Sequence, residues 1–218
     1  MITPRQVTAP LLCGGCEDLF SKNGETWAMA NCDRGSEGFR LRDLLTSAPP
    51  LARLPNALVY SAAVVPDVRV DMLAYFAASL IWRSSATVWK AFGAVAGSIQ
   101  LGPYHEDFRL FLLGEKTFPL QARLAVTISL CDETLPAAYA PFTTKLPECY
   151  RHSFVIPGIR FDVFVGGQID DRERSVCFLR SPEHIVFATT EFNDRIVEAG
   201  TNALRTAKPV GKLGRGRS

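Results

Sequence analysis

The sequence predicts an α+β fold with an N-terminal cysteine-bearing knuckle region, a central helix pair, and a C-terminal antiparallel sheet with a terminal helix. Three observations predict it. Apolar residues recur at helical spacing over residues 68 to 92, the period drops to two after Pro119, and helical spacing returns over residues 191 to 207. At 47% hydrophobic and 21% charged, the 218-residue chain has the composition of one globular domain that can bury a core without disulfides.

In the first helix, Val70, Leu73, Phe76, Ala77, Leu80, Ile81 and Ser84 form one buried stripe, and Asp67 is a suitable N-cap. Gly93 and Gly97 interrupt the pattern. A second helix begins near Gly102-Pro103, with proline at the first helical position and Glu106 and Asp107 in the favourable first turn, and it ends at Gly114. Trp82, Trp89, Phe108 and Phe111 fall at helical spacing and read as core. Arg83 on the first helix and Glu106, Asp107 and Arg109 on the second are placed to form a polar bridge between the two. Beyond Pro119, Leu124, Val126, Ile128 and Leu130 alternate with Ala125, Thr127 and Ser129, as in a strand. Residues 154–156 and 159–165 flank Pro157-Gly158, a pair suited to a type II turn, so a hairpin is expected. Residues 176–179 and 185–188 read as two short strands. The last helix carries Phe192, Ile196, Ala199 and Ala203 on one face.

Three stretches organise the chain. Residues 1–48 form the Gly- and Cys-rich knuckle region, closed by Pro49-Pro50 and Pro55; residues 49–207 form the body packed with it as one compact domain; residues 208–218 are a disordered basic tail. The tail holds Lys208, Lys212, Arg215 and Arg217, and removing these four cations from the net charge of +2 leaves the body at −2. The body is therefore no basic nucleic-acid platform, although the tail is suited to touch phosphate. No segment has the pattern of a secretory signal or the length of a membrane span, and the six spread cysteines suit a reducing compartment, so a cytoplasmic protein is expected.

The chemistry concentrates at Cys13-Gly14-Gly15-Cys16. Two thiols across a tight glycine turn are a metal-binding arrangement, with backbone amides turned toward the sulfurs. Cys32 is the natural third ligand by spacing, and Cys149-Tyr150-Arg151-His152 offers a CxxH that could supply a fourth or could simply begin a strand. Structural zinc held by Cys13, Cys16 and Cys32 is the expectation, with a redox pair and buried structural thiols as the other readings of the CxxC. Neither a P-loop, nor GxGxxG, nor GxSxG occurs, which disfavours nucleotide binding by those motifs and a serine nucleophile elbow.

The stretch LLCGGCEDLFSKNGETW resembles the second half of the treble-clef zinc region of bacterial proteins related to HNH endonucleases. Together with SLIWRSS and LGPYHEDFRLFLLGE, it is also similar to an uncharacterised bacterial family with an N-terminal CxxCE. The resemblance implies a zinc knuckle and no settled activity. An HNH nuclease needs a general-base histidine beside a divalent metal. His105, His152 and His184 are the only histidines, none adjoins the CxxC, and only twelve residues precede Cys13. The sequence thus points to a zinc-stabilised binding or regulatory protein, with nucleic acid or another protein as candidate partner. A protein-interaction subunit with purely structural zinc and an HNH-like nuclease or its remnant are the alternatives.

Overall fold

The computed structural model describes residues 11–87, 90–91, 94–95, 99–167 and 169–206. The cysteine-bearing segment is helical: α1 (Gly14–Phe20) runs through a π-helical turn (Ser21–Glu25) into α2 (Thr26–Asn31), and α3 (Arg40–Thr46) follows. A hairpin of β1 (Ala52–Leu54) and β2 (Ala57–Ser61) leads to α4 (Val70–Ala86), a short hairpin of β3 (Lys90–Ala91) and β4 (Ala94–Val95), and α5 (His105–Leu112). Then come β5 (Ala122–Ser129), β6 (Tyr139–Lys145), β7 (Tyr150–Ile156), β8 (Ile159–Val165), α6 (Asp171–Ser175), β9 (Ile185–Thr189) and α7 (Phe192–Thr206). The fold is α+β, with the expected helix pair and terminal helix.

Seven strands form one sheet in the order β1-β2-β9-β5-β8-β7-β6. All neighbours are antiparallel except β5 and β9, which run parallel, and β1 and β2 come from the N-terminal half. Side chains alternate across a sheet, so the apolar set Leu124, Val126, Ile128, Phe161 and Val163 lines one face and receives the helices. Phe76 of α4 stands edge-on to Phe154 (5.9 Å) and Phe161 (5.6 Å), which stack on each other at 4.7 Å. Tyr75 donates to the carbonyl of Leu112 at 2.7 Å and ties α4 to α5. Phe20, Ala28, Phe39, Leu41 and Leu45 enter this same core, so the cysteine-bearing segment shares its apolar interior with the body.

The opposite face carries α7, whose Phe192 and Ile196 pack on Val155. On that face the pairing aligns Arg123 with Phe164 and Phe164 with Arg151, and in the next row Ala125 with Asp162 and Asp162 with Ser153. Asp162 accepts from Ser153 Oγ at 2.5 Å and from Arg160 Nη2 at 2.9 Å. The charges are buried in pairs, as their desolvation requires.

Several expected elements differ. The first helix begins after Arg69 rather than Asp67 and stops at Ala86, where Thr87 is already extended and Ser85 Oγ back-bonds to the Trp82 carbonyl. Residues 176–179 are turn rather than strand: Asp170 and Glu173 form a capping box that nucleates α6 just before them, and the segment leaves that helix as turn, with the Phe178 amide donating to the Leu124 carbonyl of β5 at 2.8 Å. Arg83 does not bridge to α5: it pairs with Glu25 at 3.2 Å and lies over the Phe20 ring, while Arg109 folds back on Glu106 and Lys116 takes Asp107. Ala203, Trp89 and the tail 208–218 lie outside the residues whose side chains are described.

Glycine is required at two contacts. Gly158 has φ +76° in the Pro157-Gly158 turn, and a Cβ there would strike the Phe39 ring at 2.7 Å. A Cβ on Gly24, in the π-helical turn, would lie 2.7 Å from the backbone nitrogen of Phe76 and 2.9 Å from the carbonyl of Met72. Neither backbone atom can rotate away. Gly24→Ala is therefore expected to destabilise the fold by about 2 kcal/mol in urea unfolding, as overpacking does, whereas Gly14→Ala, with nothing within 4 Å of the added carbon, leaves the midpoint unchanged or higher; equal midpoints for the two variants would contradict the close approach of α1–α2 to α4.

Candidate functional site

Cys13 and Cys16 occupy the first turn of the N-terminal helix, Cys13 as its N-cap in extended conformation (φ −77°, ψ 162°) and Cys16 within α1. Cys13 is exposed and Cys16 half-buried. The backbone N–H of Cys16, followed by its thiol, favours the Cys13 thiolate and holds that pKa below the ordinary thiol value. Cys16 is pushed up in return, first because its thiol donates toward Cys13, then by partial burial. The Cys13 thiol is thus the more acidic of the two.

The two glycines serve differently from the sequence expectation. Neither has a positive φ, and a Cβ on either would meet nothing within 4 Å. Helix geometry alone turns the amides toward sulfur, and the glycines leave the approach to the two thiols open.

The helix separates Cys32 from this pair. Eighteen helical residues lie between Cys13 and Cys32, and a rise of roughly 1.5 Å per residue places Cys32 about 27 Å away, at the far end. Cys32 is buried in the core, its thiol donating to the Met29 carbonyl at 3.3 Å, and burial raises its pKa. Among the described residues, no three His, Cys, Asp or Glu side chains are grouped so as to hold a metal ion. Fifteen residues of loop could fold Cys32 back to Cys16; as continuous helix, residues 17–31 hold the two apart.

The CxxH is likewise divided, because residues three apart on a strand face opposite sides. Cys149 lines a cavity on the outer face of the sheet, whereas His152 points into the core beside Val163. Thr143 Oγ1 lies 2.9 Å from His152 Nδ1, and Nε2 has no partner among the described residues. His105 meets Ser85 Oγ at 3.0 Å and stacks near Trp82, and His184 Nδ1 lies 2.8 Å from the Phe178 carbonyl. None of the three stands with the CxxC.

Compared with known protein families, curated proteins and solved structures, the chain matches none. The residues overlooked by the sequence reading are the outer-face charges Arg123, Arg151, Arg160 and Asp162. Their signal was present: each interrupts an apolar strand at the alternate position, as in IRFDVFV.

Burial pushes the His152 pKa down to about 4. The folded state keeps the ring neutral while the unfolded chain takes a proton near pH 6.5, so stability that is full above that pH is lost as pH falls toward 4. Between pH 7 and 5 this single group should remove about 2 kcal/mol. His152→Leu should flatten that slope in urea titrations at the two pH values; an unchanged slope would assign the acid sensitivity elsewhere.

Proposed function

We propose that this is a zinc-stabilised binding or regulatory protein in which Cys13 and Cys16 supply two thiolates to a metal centre. The observation that carries the reading is the pair of accessible thiols on one helical turn, one of them already favoured as thiolate by a backbone amide. Zinc takes thiolates at about 2.3 Å in tetrahedral sites, and two sulfurs spaced by two residues fit half of such a site. The other ligands come from a partner or from a second copy of the chain, since the segment before the pair, MITPRQVTAPLL, holds no Cys, His, Asp or Glu. Zinc here cross-links and orders the start of the helix; no catalytic step is assigned to it. The residues that would make a nuclease, a histidine base beside an open metal position, are not assembled with it. All six cysteines are unpaired, which supports a reducing compartment such as the cytoplasm. Among the described residues no helix is long and apolar enough to cross a membrane.

The asymmetry of the two thiols favours a second reading, a dithiol that exchanges with disulfides, with Cys13 as attacking sulfur and Cys16 as resolving sulfur.

Elemental analysis of protein purified without a metal-binding tag distinguishes them. At least one zinc per two chains is expected, lost in Cys13→Ser/Cys16→Ser and retained in Cys32→Ala, which costs about 1 kcal/mol of stability by vacating a core position. A wild type that takes no zinc after reconstitution, yet equilibrates between dithiol and disulfide in glutathione buffers, would replace the metal reading with the redox one.

A further inference from the structure

The outer face of the sheet, remote from α7, holds a cavity of about 550 Å³ between β5, β8, β9, the β6–β7 turn and the residues of α6. That volume lies within the range of small-molecule sites. Its walls are mainly apolar: Phe164, Phe187, Leu146 and Val176, with the polarisable thiols of Cys149 and Cys177 at the edges. The CxxC takes no part in it.

Arg123 lines this cavity and would ordinarily mark an anion site. Here its charge is countered by a carboxylate. The residue is 9% exposed, its guanidinium lies over the Phe164 ring at 5.6 Å, and it is ion-paired with Glu173, while its buried Nε keeps a donor without a partner among the described residues. Glu173 is itself fixed by the α6 capping box, with its Oε2 accepting from the Asp170 amide. An anionic ligand would have to displace a carboxylate held from two sides. With Arg123 and Glu173 cancelling, the remaining charged group in the lining is Glu148 on the β6–β7 turn, exposed and without an ion pair among the described residues. The lining therefore carries one net negative charge beside aromatic surfaces, and an aromatic ring face also attracts cations.

We propose that this cavity binds a small organic monocation, an ammonium group carried on an aromatic or branched apolar body. The apolar part replaces water against Phe164, Phe187, Leu146 and Val176, and the ammonium faces Glu148 at the mouth. Held between the Phe164 ring and the α6 capping box, the Arg123–Glu173 pair shapes the floor and disfavours anions.

Three probes of one size separate the possibilities: 1-naphthylmethylamine, 1-naphthalenemethanol and 1-naphthaleneacetate, titrated calorimetrically into the full chain at pH 7.5 and low salt. Saturable binding of the amine is expected, at least about tenfold tighter than the acetate. Glu148→Gln should lower the amine affinity by about fivefold, the scale of an exposed ion pair, and bring it toward the alcohol. Val176→Trp, at a half-exposed wall position, should abolish binding of all three while the urea midpoint stays at the wild-type value. The proposal is overturned if wild type binds none of the probes, if the acetate binds as tightly as the amine, if the amine preference survives Glu148→Gln, or if Val176→Trp binds undiminished.

Discussion

The packing of α4 between the N-terminal helical segment and the sheet is the contact on which the other placements depend. Nine of its residues are buried, and it presents them on two sides. Phe76 meets the Phe154–Phe161 stack, while the backbone around Met72 and Phe76 comes within van der Waals contact of Gly24. The second contact is backbone against backbone, and a side chain of any size would hold the helices apart. The π-helical turn brings Gly24 to that contact, and a local change of helical winding is a common device for re-aiming one face. With α1 and α2 fixed in this way, Leu12 and Leu19 anchor the first turn on the core, leaving Cys13 exposed and Cys16 half-buried while Cys32 is sealed inside.

The two faces of the sheet solve different problems. The helix-facing side is mainly apolar, with His152 and its neighbour Thr143 among the polar groups on it and the imidazole favoured neutral by burial. The other side is incompletely covered by α7 and keeps its charges in matched sets: Asp162 with Arg160 and Ser153, Glu173 with Arg123. Pairs of this kind add modestly to stability, since desolvation offsets much of the attraction, but leaving either partner alone is costly. Their effect is to fix side-chain positions, which is why the face can enclose a cavity with defined walls rather than a collapsed surface.

Much of the body was legible in the sequence for identifiable reasons. The stripe through Leu73, Phe76, Ala77 and Ile81, the alternation through Leu124 to Ile128, and the Pro157-Gly158 turn are strong local signals, and each formed the expected type of element, although the helix ends at Ala86, six residues short of its expected end. The cysteine-bearing segment was not legible because Cys13-Gly14-Gly15-Cys16 read as a tight turn, whereas its glycines lie at a helix start, and because Gly24 answers a close contact formed only in the folded protein. Residues 176–179 misled because apolar alternation says nothing about how a segment leaves the helix before it. Cys32 stands apart from the pair for the same reason: spacing along a chain becomes distance in space only once the intervening structure is known.

The strand order also sets an order of assembly. β9 lies between β2 and β5, with Ala57 paired to Thr189 and Val126 paired to Val186, so the edge hairpin β1–β2 joins the sheet only through a strand made more than a hundred positions later. On a ribosome the helices and the β7–β8 hairpin can form from contacts already emerged, but β2 must keep its open edge until β9 arrives. Such long-range closure is slow, and an unpaired edge is open to other chains while it waits. The exposed Leu51 and Leu54 lie on that same hairpin, so the interval before β9 docks is when this protein is most exposed to aggregation.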